Sequence, residues 1–312
     1  MRAQVVRPVD SPQAGIFALG DSAHGFFEFA LQRDADVAAA ATALVSVREP
    51  RSTVGGANRV IGFRPTLWKK LAPGQSPPDV RDFDAPIRGA GGFTMPATQA
   101  DIWVWFSAAS YDVVFDMGSA AIAALAPYAT LEREQQGWSY RHNRDLTGFE
   151  DGTENPTLDA VPEIVAIEHG RPGAGGSVLL FQVWSHHGRA FADLPVEKQE
   201  AVIGRTKPDS IELEGPRMPE DSHVSRTKVV SGGKEQKIFR RNVPYGTVSD
   251  HGTLFIGFSA EQSTMHRMLE QMAGVDGPRD ALTLYTSALT GAYYFVPSVQ
   301  ALRAFAPPEE DE

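Results

Sequence analysis

Residues 253–272 read TLFIGFSAEQSTMHRMLEQM, and the change of texture midway through this stretch decides the fold. Thr253–Ser259 is short, apolar and rich in aromatic and β-branched side chains, as a buried strand is. Ala260–Met272 then reads as a helix, and Gly291–Val296 (GAYYFV) as one more strand. Upstream, Ile238–Val243 is a strand, Leu194–Arg205 an amphipathic helix opening with Pro195, and Ser177–Trp184 (SVLLFQVW) a strongly apolar strand. The order of this half is β-α-β-β-α-β.

A similar order precedes it. Gly15–Gly20 (GIFALG) reads as a strand, the alanine-rich Arg33–Arg48 as a helix, and Ala57–Phe63 as a strand. Residues 73–100 are loop-like, Asp101–Ala108 (DIWVWFSA) is a strand, Asp116–Ala129 a helix, and Trp138–His142 closes the set. No residue identity relates the halves, so the repeat is one of topology. The expected fold class is α+β: two ferredoxin-like (split βαβ) domains with antiparallel sheets. Residues 1–145 form one and 146–312 the other, divided where charged and turn-forming residues concentrate.

Composition excludes several functions. The 312 residues carry 29 basic and 39 acidic side chains, a net charge of −10, so a phosphate-backbone binder is not expected. The absence of cysteine removes disulfide scaffolds, thiolate zinc sites, iron–sulfur clusters and thiol nucleophiles. No stretch approaches the ~18 apolar residues of a membrane helix. The opening MRAQVVRPVDSPQAG lacks a basic-then-apolar export pattern, which leads to the expectation of a cytoplasmic protein without membrane partners.

The densest polar segment is Thr147–Pro156 (TGFEDGTENP), where glycines flank Glu150, Asp151 and Glu154. It reads as a surface connection between domains, as a calcium loop, or as a rigid loop holding a catalytic carboxylate. The calcium reading suffers because Pro156 stands where that loop needs glycine. Among eight histidines, His186 and His187 point to opposite faces of an extended chain and make a poor metal pair. His266, four residues before Glu270, fits a surface hydrogen bond. His223 stands apart, in PEDSHVSRTK (219–228), sixteen residues before FRRNVPYG (239–246). There is no GxSxG elbow or P-loop, and GAGG (173–176) precedes a strand rather than a helix, so hydrolase and nucleotide readings lose support.

Together, GFEDGTENP, IGRTK (203–207), SHVSRT (222–227), FRRNVPYG and LTGAYYFVPS (289–298) resemble dye-decolourising peroxidases, in their cytoplasmic bacterial B-type branch. The likeness spans about half the chain directly and keeps the family's order. It implies a haem b peroxidase with one haem per chain in the C-terminal domain. Such an enzyme reduces hydrogen peroxide through a ferryl intermediate and oxidises dyes, phenols or similar organic donors. By position, His223 resembles the axial iron ligand, Asp151 the distal aspartate, Arg240 the distal arginine and Asn242 the polar residue two beyond it. Arg240 is preferred to Arg241 because FRRN then matches the arginine–any–asparagine spacing, and neighbours on a strand face opposite ways. Leu254 and Phe255 would wall the distal side, with Glu154 and Arg205 near the haem propionates. Where some relatives carry an acid, this chain has Leu284, which leaves the partner of His223 unidentified. Trp103, Trp105, Trp138 and Tyr140 are either core aromatics or electron-relay stations. Assembly into homo-oligomers is expected, and PPEEDE lacks the apolar peptide that loads some relatives into nanocompartments. The alternatives are a non-catalytic haem carrier, sensor or iron-removing protein, and a haem-free interaction module.

Overall fold

The computed structural model describes residues 10–48, 56–141 and 144–307. The first half runs β1 (Ala23–Leu31), α1 (Val37–Val45), β2 (Asn58–Phe63), α2 (Pro65–Leu71) and the short pair β3 (Ile87–Arg88) and β4 (Thr94–Met95). It ends with β5 (Ile102–Ala108), α3 (Tyr111–Leu125) and β6 (Ala129–Trp138). The second half runs α4 (Val161–Val165), β7 (Ser177–His186), α5 (Val196–Ile203), α6 (His223–Thr227), and the hairpin β8 (Val229–Ser231) and β9 (Lys234–Gln236). Then follow β10 (Phe239–Arg240), β11 (Val243–Gly246), β12 (His251–Ser259), α7 (Gln262–Ala273), β13 (Thr286–Ala288), β14 (Ala292–Val296) and α8 (Val299–Arg303).

The first sheet has the order β6-β1-β5-β2 and the second β11-β12-β7-β14, with β10 and β13 as edge additions and every pairing antiparallel. Both are the ferredoxin-like arrangement, in which the first and third strands of each half lie at the centre. The sheets also meet edge to edge, at Gly137–Tyr245 between β6 and β11 and at Phe63–Phe295 between β2 and β14. Because β12 pairs β7 as well as β11, eight strands close into a ring.

Its interior is apolar. Phe26, Val60, Trp103 and Trp105 from the first sheet pack against Phe181, Leu254, Ile256 and Tyr294 from the second. Each such side chain contributes roughly 1.5–3 kcal/mol on burial. Trp103 and Trp105 are therefore core aromatics. Separate apolar layers lie beneath α1 and α3 on one side and beneath α7 on the other.

Several expected elements move. Gly15–Gly20 is not a strand: Ala14–Ile16 forms a single 3-10 turn whose Ile16 is buried in the core, and the first strand starts at Ala23. Strand β1 hides its signal behind His24, Gly25 and Glu28, polar or small residues that it buries. Helix α3 begins at Tyr111 and stops at Leu125, so Ala129 already belongs to β6, whose outer face is charged. The closing strand thus precedes Trp138–His142, and His142 lies outside the described residues. Ile238–Val243 is broken after Arg240, and α2 and the β3–β4 pair were not foreseen.

Candidate active site

The polar segment 145–155 forms one wall of a cavity of about 180 Å³ in the second half. A water needs only about 10–15 Å³ by the same measure. Gly152 adopts φ +78°, a left-handed conformation that turns the chain sharply beside Asp151. Asn155 then clamps the opposite wall: its Nδ2 donates to Arg240 O (2.8 Å), and Arg240 N donates to its Oδ1 (2.9 Å). The pair imitates a sheet ladder and fixes the backbone that carries Arg240. Asp145 holds the start of the segment, accepting from Thr147 N (2.9 Å) and from the Thr147 hydroxyl.

The second wall is the outer face of the second sheet. Alternation along β7 and β12 presents Gln182, Trp184, His186, Thr253 and Phe255 to the cavity. By the same alternation Leu254 points the other way, into the core between the sheets, so its expected place on the distal wall is corrected. Two residues apart on extended chain, Arg240 and Asn242 both reach the cavity, and Asn242 Oδ1 accepts from Ile256 N (3.0 Å). Arg241 turns away: it donates to Ile16 O (2.6 Å) and Ala18 O and lies over the Trp105 ring at 5.0 Å. Its burial lowers the guanidinium to about 10.

The third wall comes from helices. Ser222 caps α6, its Oγ accepting from Ser225 N (3.3 Å), and the next residue, His223, faces the cavity. His223 Nδ1 lies 2.7 Å from Asp280 Oδ2, leaving Nε2 to the cavity. Asp280 is fully buried; its Oδ1 accepts from Leu282 N (2.9 Å) and its backbone N donates to Met272 O (3.0 Å). This is the partner that the sequence left unidentified. It sits at the cap of the 3-10 turn Ala281–Leu284, four residues before the exposed Leu284. Met268, Leu269 and Met272 of α7 complete the apolar part of this wall.

Charges ring one end of the cavity. Arg205 donates to Glu154 and, at 3.2 Å, to Glu212. Lys237 donates to Glu154 (2.7 Å) and Glu235 (2.8 Å), and Lys228 to Glu212. The expected Glu154–Arg205 neighbourhood is therefore an ion-paired one, with Lys228 and Lys237 as unforeseen members. Deeper groups are perturbed. Burial, reinforced by Asp151, pushes the Asp145 carboxyl up to about 6, against the hydrogen bonds from Thr147. Burial also pulls His186 down to about 4, with His251 and His187 acting in the same direction.

Of the eight residues singled out, all but Leu254 line this one cavity, with His223 on the helical wall and Asp151, Arg240, Asn242 and Phe255 on the others. Asp145, Asn155 and Asp280 escaped the sequence because their roles exist only through partners distant in the chain. Only Asn155 and Asp145 carried a faint signal, lying in or beside the acidic loop. Among the described residues no group of three or more His, Cys, Asp or Glu is placed to hold a bare metal ion. Nor, among those residues, is any helix long and apolar enough to cross a membrane.

Both halves of the chain match known proteins. The sequence profile "Dyp-type peroxidase, N-terminal" matches residues 29–139, and "Dyp-type peroxidase, C-terminal" matches 142–301. A dye-decolorizing peroxidase of Mycolicibacterium paratuberculosis is 34% identical over 276 residues, covering 82% of this chain and 77% of its own. A dye-decolorizing protein from Vibrio cholerae superposes with a TM-score of 0.83 at 35% identity, over 94% of this chain and 99% of that one. A DypB variant of Rhodococcus jostii RHA1, solved in complex with heme, gives 0.85 at 30% identity, over 94% and 98%. With both halves matched in sequence and nearly the whole chain matched in structure, the protein belongs to the Dyp-type peroxidase family and is a peroxidase of the dye-decolorizing kind.

Proposed function

We propose that the cavity binds one haem b per chain and that the enzyme reduces hydrogen peroxide at the expense of organic donors such as dyes and phenols. The residues present fit that group. A planar macrocycle needs apolar walls on both faces, which Phe255 and Trp184 offer on one side and Leu269, Met268 and Met272 on the other. An axial ligand needs an oriented imidazole, and the Asp280 carboxylate fixes the His223 ring and strengthens its donation. The buried amide Nε2 of Gln182, on the cavity wall, has no hydrogen-bond partner among the described residues. Arg205, Lys228 and Lys237 could each bind a propionate, at the end where Glu154 now pairs two of them.

When bound, haem supplies the iron on which peroxide is cleaved and the oxidising equivalents are held. The chain supplies the rest. Asp151 moves a proton from one peroxide oxygen to the other. Arg240, always protonated, offsets the negative charge growing on the departing oxygen. Asn242, held by Ile256 N, orients the peroxide, and Phe255 keeps bulk water from the site. The observation that carries this reading is the single cavity in which the Asp280-backed His223 faces Asp151, Arg240 and Asn242.

The test is an absorption spectrum before and after one equivalent of peroxide. Haem-loaded wild type is expected to show a Soret band that changes with peroxide, and His223→Ala to lose the change. A wild-type protein that merely bleaches would sink the proposal. We place the junction of the two domains at residues 145/146. Assembly into homo-oligomers is a further part of this reading, and sedimentation measures it. A cytoplasmic location is the remaining expectation, read by cell fractionation.

A further inference from the structure

Peroxide reduction makes a demand that the residues named above do not meet. Turning hydrogen peroxide into two waters takes two electrons and two protons. A donor too bulky to enter the cavity releases its protons outside, so they must be carried in. Next to the main cavity lies a second, of about 60 Å³, room for several waters. The solvent-exposed Ser139 belongs to its lining, together with Tyr140 and Arg144. Asp145, Asp151, Asn242 and Thr253 line both cavities, and of these the two carboxylates can carry a proton.

We propose that Asp145 is the proton inlet of the active site: its carboxylate takes a proton from solvent reaching the smaller cavity and passes it to Asp151, which delivers it to oxygen leaving as water. Two protons travel this way for each peroxide, matching the two electrons drawn from donors. The geometry suits a relay rather than a mobile side chain. Thr147 N and Oγ1 hold the carboxylate, Gly148 N donates to Asp145 O (3.0 Å), and Asp145 N donates to Phe149 O (3.0 Å). Asp151 from its own loop and His223 from α6 act on it electrostatically; Tyr140 and Arg144 line the smaller cavity with it, and Arg240 and His186 from the sheet line the larger. An acid lifted to about 6 by burial and by Asp151 is part protonated near neutrality, as a relay requires. The inference rests on Asp151 moving the peroxide proton.

Asp145→Asn keeps an acceptor for Thr147 and removes the acid. With a bulky dye as donor, steady-state turnover at neutral pH is expected to fall roughly tenfold, a modest share of what acid–base groups contribute. Its pH profile should lose the ionisation near 6. The first reaction with peroxide should fall less than dye turnover does. Thr147→Val, which removes a hydrogen bond favouring the ionised form, should instead move that ionisation to higher pH. On the haem-free chain, infrared titration should show a protonated carboxyl that ionises near 6 in the wild type and is missing from Asp145→Asn. An unchanged pH profile in Asp145→Asn, an unchanged infrared titration, or equal losses in both half-reactions would each overturn the relay. Failure of the reading beneath it has a different sign: Asp151→Asn would then leave the first reaction with peroxide unaffected.

Discussion

Arg240 faces the cavity, whereas Arg241 spends its donors on the carbonyls of Ile16 and Ala18 and lies against Trp105. A fixed cation aimed at developing charge contributes a few kcal/mol in a preorganised site, while water can stand in part for a proton shuttle. Arg240→Leu is therefore expected to slow the reaction with peroxide roughly 100-fold, and more than Asp151→Asn does. Stopped-flow spectra giving the reverse order would refute this ranking. Asp280 acts through His223. Replacing it by Asn keeps a hydrogen bond but removes the charge, which should lower haem affinity or activity by roughly 10–100-fold, measurable by haem transfer to a scavenging protein. Elsewhere, His24 is buried and receives Trp105 Nε1–H at 3.3 Å; burial, aided by Arg241, holds its imidazole down at about 4. An unfolded chain takes up that proton near 6.5, so stability present above 6.5 is lost as pH falls toward 4. At 1.36 kcal/mol per pH unit the loss approaches about 3 kcal/mol. His24→Gln, which retains an acceptor for Trp105, should lose that much less than wild type between those limits, as read from denaturant titrations of the haem-free protein.

Strands β5, β7 and β14 are buried on both faces over nearly their whole length and β12 over its second half, and their continuous apolar runs announce them in the sequence. Strand β1 is as deeply buried yet nearly silent, because the polar groups it carries are satisfied only by distant residues. Glu28 accepts from Arg133 Nε (2.7 Å) on β6 and from Tyr294 Oη on β14. No local window contains those partners. The site divides the same way. His223, Asp151, Arg240 and Asn242 lie in distinctive short segments, but Asp280 can be recognised only once α7 and the following turn bring it beneath His223. Leu254 was misplaced for a related reason: which of two strand neighbours faces the cavity depends on the sheet's packing, not on either residue's apolarity. The loop 145–155 acts as an element through Asn155. Asn155→Ala removes both bonds to the Arg240 backbone, which should cost about 1–3 kcal/mol. It should also slow the reaction with peroxide although residue 155 touches no substrate. A loss of stability with an unaltered rate would show that Arg240 needs no such support.

At the scale of the whole molecule the two domains share one interior. Aromatic side chains of both sheets interlock there, so each half exposes the inner face of its sheet when the other is lost. Unfolding of the haem-free protein is expected to be a single transition. Four of the five tryptophans, at 68, 103, 105 and 138, belong to the first half, and only Trp184 to the second. Fluorescence therefore reports the first half and far-ultraviolet circular dichroism both. A fluorescence change that preceded the dichroism change would disprove this coupling. The two seams closing the ring have a further result. Each is a single residue pair, and between them they tie β2 and β6, the outer strands of the first sheet, to the second. During synthesis that sheet leaves the ribosome with both outer strands bare. At about 5–20 residues per second they stay so for roughly ten to thirty seconds, until β11 and β14 have been made. Slow translation and crowded polysomes should thus favour misassembly of this protein in the interval before the ring is shut.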